Sequence, residues 1–137
     1  MGKALVFSLF LILGLDFLAL AFHWYPQIPW LDSPLHFLGG IWVAAFFFWF
    51  FNEGKIKIPN FLWKAVLAIS FVALIGVLWE FAEFTFLNSL VAKIFGAQEL
   101  APSLSDTITD LALDLLGGVA LAASYMSYRT YKSYRSK

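Results

Sequence analysis

Residues 4–22 form a run that begins Ala4-Leu5-Val6-Phe7 and carries one charged side chain, Asp16. As a helix rising about 1.5 Å per residue, the run spans roughly 28 Å, close to one hydrocarbon core. Further mainly apolar stretches cover about 34–51, 61–84 and 106–127. Backbone polar groups inside a bilayer must be satisfied within the segment, so runs of this length cross as helices. Only 13% of the chain is charged, against about 25% in soluble proteins. The expectation is an all-α, polytopic membrane protein: a four-transmembrane-helix bundle forming a single membrane domain over residues 1–137. No Gly/Ser-rich or Pro-rich run offers a linker, and no internal repeat stands out.

Composition also narrows the function classes. A formal net charge of zero argues against the concentrated basic surface that nucleic acid requires. The absence of cysteine removes disulfides and thiolate chemistry. A cleavable signal is an alternative for the first run, with Lys3 before it and Ala19-Leu20-Ala21 near its end. The run is long for such a signal, however, and Asp16 interrupts it.

The connections read as interfacial. His23-Trp24-Tyr25-Pro26 and Trp30 place aromatics at head-group depth, and His23 reads there as an interface residue. Asp32 or Ser33 can cap the second helix, with Pro34 in its first turn. Residues 86–98 carry an apolar stripe of Leu87, Leu90, Val91, Ile94 and Phe95, suited to a short helix lying on lipid or acting as a lid. Lys3, the turn with Lys55 and Lys57, Lys64 and the basic tail from Arg129 share one side, leaving Lys93 on the other. The positive-inside rule then sets both termini in the cytoplasm, N-in and C-in.

The chemistry lies in the fourth run. Asp106, Asp110 and Asp114 recur at i, i+4 and i+8 and so share one helix face. Ionisable residues at membrane depth are costly and commonly mark a site or pathway. Under the expected topology, Asp32 and His36 stand at the outer start of the second helix, and Glu80 and Glu83 at the outer end of the third. They gather with the three aspartates in the extracytoplasmic half, and Asp16 can approach from the first helix. His36 is the evident basic partner. Several carboxylates must therefore be protonated or face a cation.

Three readings follow. The first is a divalent-metal site with His36, Glu80, Asp106, Asp110 and Asp114 as ligands, the metal's identity open. The second is a protonated hydrogen-bond network, and the third an ion or proton pathway. With a metal, hydrolysis or group transfer on an envelope or lipid-linked substrate becomes accessible, with Glu80, Glu83 and His36 as catalytic candidates. The competing functions are a cation or proton transporter and a non-catalytic membrane scaffold, and either can oligomerise. A transporter is disfavoured by the Leu, Ala and Gly that follow Asp114. Gly39-Gly40 and Gly117-Gly118 are expected close-packing points between helices.

Asp-x-x-x-His at Asp32 and His36, a glutamate ending the third helix, and Asp-x-x-x-Asp-x-x-x-Asp-x-x-Gly from Asp106 to Gly117 resemble the VanZ-like group of small bacterial membrane proteins. Trp79-Glu80-Phe81-Ala82-Glu83 and Asp106-Thr107-Ile108-Thr109-Asp110 resemble the YjdF type at least as closely. The resemblance covers roughly residues 32–118. It implies a multi-pass protein of the bacterial cytoplasmic (inner) membrane and a functional set of Asp32, His36, Glu80, Glu83, Asp106, Asp110 and Asp114. VanZ itself is associated with glycopeptide resistance. VanZ-like proteins often carry Asn near the position of Asp114 and Gln after the third-helix Glu; this chain has neither, which adds acidity.

Overall fold

A computed structural model describes residues 2–53, 58, 60–96 and 103–135. Among them every regular element is helical, and four helices are long and apolar enough to cross a membrane. The protein is thus an all-α, four-span membrane protein. Lys55 and Lys57, the end of the expected 86–98 helix and Lys137 lie outside the described residues.

The first span, α1, runs Gly2–Ala21. His23 takes a left-handed conformation at φ 57°, turning the chain into the one-turn helix α2, Trp24–Gln27. The second span, α3, is Asp32–Glu53 and begins two residues before Pro34, which occupies its first turn. The third, α4, is Phe61–Ala82, capped by Asn60, whose side chain accepts from the Leu62 N–H at 2.8 Å.

The end of α4 departs from a simple helix stop. The chain continues through a π-helical turn, Glu83–Leu87, directly into α5, Asn88–Phe95. Thr85 Oγ1 donates back to the Phe81 carbonyl at 2.5 Å, and Gly96, left-handed at φ 65°, finally ends the run. Part of the apolar stripe lies on α1: Val91 packs with Leu20 and Ala21 and Phe95 meets Phe17 edge to face, while Leu90 and Ile94 stay exposed. The fourth span, α6, is Leu104–Arg135 and continues past residue 127 to the basic tail.

Helix α3 is the hub, packing on α6, α4 and α1, with the α3–α6 contact the most extensive. That contact exists because glycines let the backbones meet. A Cβ on Gly40 would overlap the Asp114 carbonyl, and one on Gly117 the Phe37 carbonyl. Gly40 and Gly117 are therefore the crossing point of the two helices, while Gly118 faces α4, its Cβ position 3.0 Å from the Val72 side chain. Away from the carboxylates, Phe47, Phe48, Ala68 and Ala122 form a core with Phe61 and Tyr125 around it. Helix α1 is seated differently. It packs on α3, α2 and α5, and the Trp42 indole donates to the Leu5 carbonyl at 2.8 Å.

Candidate functional site

Asp32 and His36 stand one turn apart on α3, which orients both toward the same neighbours. His36 is 6% exposed, deep enough to require polar partners, and they come from three helices. Its Nε2 lies 3.6 Å from Asp32 Oδ1 and 4.0 Å from Glu80 Oε1. Its Nδ1 lies 3.5 Å from Asp114 Oδ2. Among the described residues, no other base stands at ion-pair distance from these carboxylates.

Two overlapping sets offer ligand atoms within 4.8 Å of one another: Asp32, His36 and Asp110, and His36, Glu80 and Glu83. Asp110, Asp114 and Glu80 are buried, while Glu83 is half-buried at the entry to the π turn. Glu80 Oε1 is buried with no hydrogen-bond partner. An orphaned acceptor there is expensive unless something positive faces it. The donor set, several carboxylate oxygens around one imidazole, is chemically suited to a divalent cation.

The expected site residues do not all converge. Asp106 is exposed in the first turn of α6, where its backbone N–H donates to Ser103 Oγ at 3.1 Å, and it belongs to neither set. Asp16 is buried and lines the same cavity as Asp32, His36 and Asp114. Its carboxylate accepts a hydrogen bond from the Tyr25 hydroxyl. Burial and the neighbouring Asp16 carboxylate push the Tyr25 phenol above its ordinary range, so it remains a donor.

Sequence reasoning missed two members. Tyr25 reads as one more interfacial aromatic, yet the turn at α2 folds it back over α1. Gly76 is one glycine inside an apolar run, yet a Cβ there would stand 2.6 Å from Asp114 Oδ2. Gly39 faces the other oxygen, its Cβ position 3.7 Å from Asp114 Oδ1. Asp114 thus occupies a slot cut by a glycine on each neighbouring helix. Gly76 lies one turn before Glu80 on α4, and this i, i+4 spacing is the signal that could have revealed it.

Beside the cluster is a cavity of about 290 Å³. Asp16, Asp32, His36 and Asp114 supply its polar lining; Leu9, Ile12, Val43, Val72 and Ile75 are among its apolar lining. The size is near the lower end for small-molecule sites, about 300–1,000 Å³.

Fold and site together define a multi-pass membrane protein with a buried carboxylate–imidazole cluster beside a largely apolar cavity. The chain belongs to the DUF2238 family of predicted membrane proteins, which it matches over residues 1–131. It is also 31% identical over 100 residues to an uncharacterised protein of Thermotoga maritima. That match covers 73% of this chain and 50% of the relative, so the chain spans about half the length of the curated relative it matches. No solved structure matches it.

Proposed function

We propose that the cluster is a divalent-cation centre of a metal-dependent hydrolase or transferase in the bacterial inner membrane. The observation that carries this reading is the orphaned Glu80 Oε1, buried 4.0 Å from the one imidazole among converging carboxylates. Asp32, His36 and Asp110 are the first ligands, with Glu80 or Glu83 completing the set from α4 and the π turn. The chemistry such a cation would supply to these residues is polarisation of an ester or phosphoryl oxygen and activation of a water. Asp114 orients the ring by facing His36 Nδ1, as partners behind a ligating histidine do. Whichever of Glu80 and Glu83 is not a ligand is placed to take a proton from water. Tyr25 holds Asp16 at the rim as a hydrogen-bond acceptor.

Both termini lie in the cytoplasm in this reading, so the cluster faces the extracytoplasmic half. The VanZ-like resemblance supports an envelope setting. A transporter is the competing reading. Against it, Val43, Ala44 and Val72, then Phe47, Phe48, Ala68 and Ala122, form apolar layers between the cluster and the polar groups at the other end.

The deciding experiment is the metal content of gently purified wild type beside Asp110→Ala. Stoichiometric metal in wild type, lost in the variant, is the expected result. Equal and negligible metal in both would sink the reading.

A further inference from the structure

The cavity's walls reach away from the carboxylates along two helices that do not lean on each other. Leu9 and Ile12 of α1 form one wall, Val72 and Ile75 of α4 another, and Val43 of α3 stands with them. Helix α1 is held by α3, α2 and α5; no comparable packing joins it to α4. At the polar end, the π turn and α5 carry the chain from the end of α4 onto α1. Below that bridge α1 and α4 lack packing of their own, so in a bilayer the space between them would border hydrocarbon. From Asp32 to Val43 the lining covers about 16 Å of helix, polar at one end and apolar along the rest.

We propose that this cavity takes one hydrocarbon chain of a phosphate-ester lipid, which enters sideways between α1 and α4 with its head group drawn to the His36 end. The tail assignment stands on the cavity alone. The head-group assignment rests on the cation reading, because an anionic head approaches Asp16, Asp32 and Asp114 only when a bound cation offsets their charge. A volume of about 290 Å³ accommodates part of one chain, not a whole two-tailed lipid, so the second tail stays in the bilayer.

The test is native mass spectrometry of detergent-solubilised protein titrated with phosphatidic acid, with metal measured in the same samples. Wild type is expected to form one saturable adduct. Ile75→Trp fills the cavity from the α4 wall and Ile12→Trp from the α1 wall; each is expected to weaken the adduct by about tenfold or more while keeping the metal. Leu74→Trp, on the exposed side of α4, is expected to bind as wild type does. An adduct that persists unchanged in both cavity-filling variants, or its absence from wild type, overturns the proposal. A saturable adduct on protein that holds no metal sinks the cation centre and leaves the tail site standing. Bound metal without an adduct does the reverse.

Discussion

His36 meets carboxylates from three helices, and among the described residues no other base stands at ion-pair distance from them. Removing the partner of buried polar groups typically costs about 1–3 kcal/mol for each group left unsatisfied. His36→Ala is therefore expected to lower the thermal midpoint in detergent by many degrees, whereas Asp106→Ala, at an exposed position, leaves it nearly unchanged. Tyr25 gives a pH-dependent case. Its phenol binds its proton more tightly in the folded protein than in the unfolded chain, where the pKa is about 10. The stabilisation it contributes is complete below about pH 10 and is lost as pH rises from there. Tyr25→Phe leaves Asp16 without its donor, at a cost of about 1–3 kcal/mol. The stability gap between wild type and Tyr25→Phe is expected to be wide at pH 7 and to narrow above about pH 10, as alkaline unfolding curves would show.

At the scale of elements, the α3–α6 crossing positions the site. Gly40→Ala or Gly117→Ala forces two backbones apart, an overpacking cost of about 1–3 kcal/mol, and shifts Asp114 relative to His36. Both are expected to lose bound metal along with stability. Gly14→Ala, whose added methyl meets nothing within 4 Å, is expected to lose neither; thermal melts and metal analysis of the three variants compare them directly. The spans were legible in the sequence because they follow from counting apolar residues along a helix. Helix rotation was not. Helices α1, α3 and α4 are apolar around most of their circumference, so no stripe shows which way Asp16 or Gly76 faces. The i, i+4, i+8 series on α6 shows a shared face, but not that the bundle ends below Asp106. Likewise Lys64 reads as a topology lysine of the turn. In the fold it is buried, donating to Asn52 Oδ1 at 2.6 Å, while the Asn52 amide donates to the Tyr125 oxygen at 2.9 Å.

For the whole molecule, orientation decides which compartment meets the cluster. Lys3 and Arg129, Lys132 and Arg135 belong to the end opposite the carboxylates. A fluorescent protein fused after Lys137 is expected to fluoresce in bacterial cells, and an alkaline phosphatase fused there to stay inactive. The opposite pair of results would turn the bundle over and place the cluster in the cytoplasmic half. The dominance of the α3–α6 contact has a consequence for biosynthesis. The second span enters the membrane during translation carrying Asp32 and His36, and the third follows with Glu80, but Asp110 and Asp114 arrive only with the fourth. Until α6 docks, the polar residues of the earlier helices lack those partners, and the glycine faces of α3 have nothing to close on. The nascent chain is therefore most exposed to proteases and most dependent on insertion machinery in the interval before Leu104–Arg135 emerges, and the carboxylate–imidazole cluster is assembled only when that span docks.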